Sequence, residues 1–277
     1  MPSLHLFSPA KLNLFLHITG RLPNGYHKLQ TVFQLLDYGD SLALQTRKDG
    51  NLQLTPQLLG INQQDNLIIR AAYLLKQQTQ TDLGANIQLL KRLPMGGGMG
   101  GGSSNAATTL IGLNHLWQTG LSVDQLTDIG MQLGADVPVF VRGNSAWAEG
   151  IGEKLSPLKL PERWYLVIKP QCHVSTAEIF SHQQLTRDTG AITVAAFFEQ
   201  GGHNDCEHVV SQCYPEVAEA LRWLRQYSAA QLTGTGACVF ASFTDQDQAK
   251  AIFDKASTKW ECFTARGINH SPLQPLL

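Results

Sequence analysis

The stretch PMGGGMGGGSS, residues 94–104, is the part of this sequence best suited to chemistry. Six glycines between Gly96 and Gly102, interrupted only by Met99, cost conformational entropy that no packed core requires. Backbone of this kind is kept where main chain must come very close to a ligand. A helical pattern opens directly behind it, so unpaired N–H groups and the positive end of a helix dipole face the same point. Together they describe an anion cradle, with phosphate as the expected anion. A Walker loop is excluded, because no lysine precedes Ser103 or Ser104. Gly96, Gly98 and Gly101 fit GxGxxG formally, but the acidic residue expected about 20 positions on is missing. A flexible linker would lack the apolar, periodic flanks seen on both sides. A non-Walker nucleotide loop is the favoured reading, with a dinucleotide loop and a linker as the alternatives.

Four further places carry candidate chemistry. Lys11 and Asn13 are neighbours on one side of an alternating strand, a solvated face unless an acid partners the lysine. Asp136 stands in LGADVPVF, past one helix end and ahead of an apolar run. It is either an N-cap or a buried carboxylate that needs a cation to stay ionised, and one residue can be both. Tyr26-His27 leaves the Pro23-Asn24-Gly25 turn, where an aromatic and an imidazole can frame a planar ring or simply lie at the surface. Finally LTGTGACVF, residues 232–240, is a second glycine turn that either lies against a ligand or only turns a strand.

The elements that position these residues are readable in outline. Strands are expected over 11–19 and 29–36, a helix over 66–76, and a strand over 85–93 leading into the glycine loop. Behind the loop a helix buries Ala106, Leu110, Leu113 and Trp117 and ends near Gly120. Ser122 and Gln125 form a capping box for the next helix, which stops at Gly134. Val137-Pro138 opens a short helix. A hairpin or crossover over 143–152 marks a domain edge, dividing the chain into 1–155 and 156–277. Beyond it come a strand at 164–169, a helix start at Ser175, a helical piece around 193–198 and a helix over 205–227, broken before Pro215. The turn at 231–240 runs into a buried strand, and a helix over 245–255 and a strand over 262–266 follow. Helices on one face of a sheet make this half α+β.

The composition agrees with a globular chain. The 277 residues are 43% apolar and 16% charged, with a formal net charge of −1. No block of like charge suggests a nucleic-acid surface. Five cysteines without CxxC spacing, no signal peptide and no long apolar run point to reduced thiols in a cytoplasmic protein, off the membrane. The nine histidines form no metal-ligand pattern.

Taken in order, PAKLNLFLHITG (9–20), GYH after a turn, PMGGGMGGGSSNAA (94–107), LGADVPVF (133–140) and LTGTGACVF (232–240) resemble one family over nearly the whole chain. It is the galactokinase, homoserine kinase, mevalonate kinase and phosphomevalonate kinase (GHMP) superfamily of small-molecule kinases. The resemblance is sharper toward members that phosphorylate the 2-hydroxyl of a polyol carried on cytidine diphosphate, in non-mevalonate isoprenoid synthesis, than toward the homoserine or mevalonate type.

The resemblance implies an α+β GHMP kinase fold of two-part α/β architecture, with the active site in the cleft between the halves. It implies an N-terminal ATP-binding half and a C-terminal substrate-side half. Lys11 and Asp136 would be the catalytic pair. Either Asp136 accepts the hydroxyl proton, or Lys11 lowers the hydroxyl pKa while Asp136 orients it. Pro94, Met95, Gly96, Gly97, Gly98, Met99, Gly100, Gly101, Gly102, Ser103 and Ser104 would wrap the ATP phosphates. Mg²⁺ would travel with the nucleotide, with no protein metal ligand assigned. Tyr26, His27 and Phe180 would hold the cytosine, Asn13 and Thr176 would reach the polyol or diphosphate, and Gly234 and Gly236 would let the late loop close over the site. The expected partner is the small-molecule cytidyl diphosphate alone, with no nucleic acid or membrane, and the expected state a monomer or weak homodimer. Residues 186–202 match nothing in the family pattern.

Overall fold

The computed structural model describes residues 2–23, 25–57, 60 and 62–277; Asn24, the centre of the expected turn, lies outside the described residues. The chain opens with a long antiparallel hairpin, β1 (Ser3–Arg21) and β2 (His27–Arg47), both far longer than their periodicity suggests. Then come β3 (Leu52–Thr55), α1 (Leu67–Thr79) and β4 (Gly84–Leu90), and after the glycine loop α2 (Gly101–Leu116), α3 (Val123–Leu133) and α4 (Val137–Arg142). The expected hairpin is β5 (Ala146–Gly150) with β6 (Lys154–Pro157). The remainder is β7 (Trp164–Lys169), α5 (Thr176–Ser181), α6 (Val194–Gln200), α7 (Cys206–Cys213), α8 (Pro215–Leu224), β8 (Ala230–Leu232), β9 (Val239–Phe243), α9 (Gln246–Ala256) and β10 (Glu261–Ile268).

The strands join in one sheet, ordered β3-β4-β2-β10-β7-β9-β8, with β1 and β5 also on β2. Strand β2 is the seam. It meets β5 through residues 29–33, β10 through Leu35 and Leu36, and β4 through residues 41–47. A core over the first half packs α1 to α4 on the sheet, around Leu110, Ile111, Phe140 and Leu44. A second packs α7, α8 and α9 on the late strands, around Val209, Leu221 and Ile168. A smaller cluster joins them through Leu12, Leu93, Met99, Val167, Cys238 and Phe240. This is the α+β architecture that the alternation of elements implies.

Three local features prepare the site. Ser122 and Gln125 exchange the two bonds of a capping box, and Asn66 Oδ1 accepts from the Ile68 N–H at 3.0 Å, so α3 and α1 begin on side-chain caps. Helix α2 begins instead on Gly100, left-handed at φ 70°, with no side chain capping it. Its residues 104–113 are buried on every side, a wider burial than the single stripe expected, because the helix runs through the centre of the first half. In β1 the pairing skips a residue between Asn13, opposite Phe33, and Leu16, opposite Thr31. That bulge breaks the simple alternation, and the face carrying Lys11 is buried rather than solvated: Lys11, Asn13 and His17 are all inside.

Candidate active site

The glycine loop is held by its carbonyls. Gly96 O accepts from Ala237 N at 3.2 Å, Gly97 O from Cys238 N at 3.4 Å, Gly98 O from Thr233 Oγ1 at 3.5 Å and Met99 O from Lys11 N at 3.1 Å. Among the described residues, no protein acceptor takes the N–H of any residue from 96 to 103. Carbonyls tied behind and amides free in front make an anion site from main chain alone, at the start of a 16-residue helix. Gly96, Gly98 and Gly100 have positive φ, and a Cβ on Gly98 would stand 2.2 Å from Thr233 O. The two glycine turns therefore pack back to back, and each requires the other's missing side chains: a Cβ on Gly234 would meet Gly98 O at 3.0 Å.

The loop's entry is fixed by Asp40, which is wholly buried. Its carboxylate accepts from Arg92 N (2.7 Å), Leu93 N (2.8 Å), Asn105 Nδ2 (2.9 Å) and Lys91 Nζ (2.7 Å). One carboxylate thus joins the strand before the loop to the helix after it.

Two cavities meet at the loop. One of about 340 Å³ is lined by residues 94–103 together with Asn66 and Lys91. The other, of about 730 Å³, is lined by Lys11, Asn13, Tyr26, His27, Asp136, Thr176, Phe180 and Gly234, and also by Arg21 and Thr235. They share Gly98, Gly100 and Ser103. A group bound over the loop on one side can be passed to a group on the other.

Lys11 Nζ lies 3.2 Å from Asp136 Oδ2 and donates to Asn13 Oδ1 at 2.5 Å. The lysine side chain is 3% exposed and the aspartate 35%, so of the pair it is the cation that is buried and the carboxylate that stays partly open. Asp136 occupies the N-cap position of α4, but its side chain caps nothing. The carboxylate is therefore free to face the cleft. Asn13 is held by its Nδ2 bond to Thr31 Oγ1 (3.0 Å) and its N–H bond to Thr233 Oγ1 (3.0 Å).

His27 and Phe180 stack with centroids 5.1 Å apart and 23° between planes. Burial, then Arg187 and Arg21, hold the His27 pKa below its ordinary value. Thr176 and Thr235 hydroxyls share a hydrogen bond of 2.8 Å across the late loop.

Two expected site residues line neither cavity. The Ser104 hydroxyl is buried against Ser8 Oγ (2.9 Å) and its N–H bonds Gly100 O (2.8 Å), because one turn into α2 the chain faces the core. Gly236 faces Leu232, Val174 and Val210, while its neighbour Thr235 takes the place on the cleft. Sequence reasoning missed Lys91, Arg21 and Arg187. A basic pair just ahead of a phosphate loop and an arginine ahead of the turn were signals for the first two. Nothing in 186–202 marked the third.

The chain matches the family described as "GHMP kinases N terminal domain" over residues 66–144 and "GHMP kinases C terminal" over residues 191–262. It is 55% identical to a 4-diphosphocytidyl-2-C-methyl-D-erythritol kinase of Mannheimia succiniciproducens, over 97% of this chain and 89% of that one. It is 54% identical to a protein of the same description from Hahella chejuensis, over 98% of this chain and 95% of that one. The crystal structure of a 4-(cytidine 5'-diphospho)-2C-methyl-D-erythritol kinase superposes with a TM-score of 0.85 at 28% identity, covering 95% of this chain and 99% of that one.

Proposed function

Because the chain belongs to the 4-diphosphocytidyl-2-C-methyl-D-erythritol kinases of the GHMP superfamily, we propose that it transfers the γ-phosphoryl group of ATP to the 2-hydroxyl of that cytidyl diphosphate polyol. The observation that carries the site assignment is the pair of cavities joined at Gly98, Gly100 and Ser103, with Lys11 and Asp136 on the larger one. ATP takes the smaller cavity, its phosphates on the free amides of residues 96–103. The acceptor takes the larger, which draws on both parts of the proposed division at 155/156: Tyr26 and His27 from the first, Thr176, Phe180 and Gly234 from the second.

Asp136 is the base in this reading. It is uncapped, faces the cleft, and is held in place by its ion pair with Lys11. An alcohol is far less acidic than a carboxylic acid, so the proton moves late, as the oxygen closes on a loose phosphoryl group. The buried ammonium has three N–H donors. Two go to Asn13 and Asp136, leaving one for the attacking or transferring oxygens. The stacked His27 and Phe180, with Tyr26 at the mouth, hold the cytosine, and Asn13 and Thr176 hold the polyol and diphosphate.

Among the described residues no group of three or more His, Cys, Asp or Glu side chains is arranged to hold a metal. Mg²⁺ carried on ATP would keep waters and phosphate oxygens and ask little of the protein. Ser103, on the cleft, would help hold the ion through phosphate oxygens or water, and the ion would offset phosphate charge. Five free thiols support a reducing, cytoplasmic setting.

A coupled ADP-release assay with the cytidyl substrate, mevalonate and homoserine side by side tests the assignment. Turnover with the cytidyl compound alone is expected; equal turnover with either of the others would reject it.

A further inference from the structure

Arg187 reaches the cleft from the segment that carries no motif. Its Nε donates to His27 Nε2 at 3.1 Å. Its Nη1 donates to Leu185 O (2.9 Å), and its Nη2 to Phe180 O (2.9 Å) and His182 O (2.8 Å). The guanidinium thus ties the end of α5, which bears Phe180, to the imidazole that stacks on Phe180.

The chemistry of this contact has a single direction. A guanidinium is always charged and has donors only. His27 Nε2 must therefore offer a bare lone pair, and a neutral ring with Nε2 bare carries its proton on Nδ1. Protonating both nitrogens would aim an N–H at a cation. With Nε2 occupied by Arg187, Nδ1 is the ring nitrogen left for a ligand, and it is a donor.

We propose that Arg187 is a positioning residue that fixes His27 as its Nδ1–H tautomer, so that His27 presents a donor to the acceptor edge of the cytosine ring. This rests on the reading of the cleft as the cytidyl site. Cytosine offers acceptors at O2 and N3, whereas its exocyclic amine is a donor. A tautomer-locked donor favours a base held by its acceptor edge, and disfavours one that turns a donor toward the ring.

The test combines ring-nitrogen NMR of His27 with steady-state kinetics of Arg187→Met, Arg187→Lys, and Arg187→Met in a His27→Asn background, where the amide donates without a tautomer choice. The substrate-free wild-type protein should show Nδ1 protonated and Nε2 bare, and Arg187→Met should populate both tautomers. Its KM for the cytidyl substrate should rise roughly three- to tenfold, the worth of one hydrogen bond, with KM for ATP and kcat held within about twofold. Arg187→Lys should recover part of the loss. In the His27→Asn background the Met substitution should add less than about twofold, because the path through the ring is gone. A wild-type ring protonated on Nε2, or an equal penalty for Arg187→Met in both backgrounds, would overturn the proposal and leave Arg187 a loop anchor. His27→Ala with an unchanged cytidyl KM would instead sink the base-pocket reading, while the substrate-free NMR still judges the Arg187 contact by itself.

Discussion

Lys11 and Asp136 are 125 positions apart in sequence and 3.2 Å apart in space, and of the two it is the cation that is buried. The ammonium sits beside Asn13 Oδ1 and 5.2 Å from the centroid of the Phe33 ring, contacts that hold it in place under the cleft. The carboxylate keeps one side open to the cleft. In the proposed mechanism the base must meet its substrate, whereas the cation that positions it need not, and the burial is distributed accordingly.

Asp136→Asn should lower kcat by about 10² or more while leaving ATP affinity within a few-fold, in line with loss of a general base. Because the side chain caps no helix N–H, thermal stability should change little from that source. Turnover near wild type, measured by ADP release, would remove Asp136 from the chemistry.

Gly98→Ala and Gly102→Ala should separate the two kinds of glycine in the loop. At Gly98 a Cβ meets Thr233 O at 2.2 Å with φ at 73°, so a loss of about 1–3 kcal/mol is expected, with weaker ATP binding. At Gly102, inside α2, the nearest atom is Leu67 Cδ1 at 3.4 Å, and the nucleotide-free protein should gain up to about 1 kcal/mol of helix stability. Urea unfolding of both variants reads the difference, and equal effects would contradict the back-to-back packing of the two turns.

The sequence made the loop, the capping box at Ser122 and the short helix at Val137-Pro138 legible, because each depends on neighbours a few positions away. It made Lys11 and Asp136 visible as residues without partners. What it hid is what long-range packing decides. Asp40 looks like any polar residue in a strand, yet it links residues more than fifty positions on. Ser103 and Ser104 look alike, but a single helical step of about 100° sends the first to the cleft and the second to Ser8. Arg187 sits among polar residues that carry no period, and only the tertiary fold brings it to His27.

Asp40→Asn should cost about 3 kcal/mol, because a buried carboxylate serving four donors is replaced by an amide that turns its own N–H groups toward some of them. Lys91 is partly solvated and can relax, which keeps the loss at the low end for a broken ion pair. KM for ATP should rise as the loop entry loosens. Denaturant midpoints and nucleotide titration check both parts, and a neutral substitution would mean that the loop is held chiefly by its contacts with residues 233–238.

The pH dependence of stability follows from two histidines. His17 is buried, its Nε2 is 3.2 Å from His203 Nδ1, and its Nδ1 has no partner among the described residues. Burial and then His203 lower its pKa from 6.5, with Asp205 opposing; burial, Arg187 and Arg21 lower that of His27. A group that titrates below 6.5 when folded but near 6.5 when unfolded leaves the unfolded chain binding more protons in that window. Stability from these two residues is therefore complete above 6.5 and is lost as pH falls below it toward the folded values. Urea midpoints measured from about pH 8 down to about pH 5.5 should fall over the lower part of that range. His17→Gln should flatten the fall without touching the cleft. An unchanged slope in that variant would show that His17 takes up its proton in the folded protein as readily as in the unfolded chain.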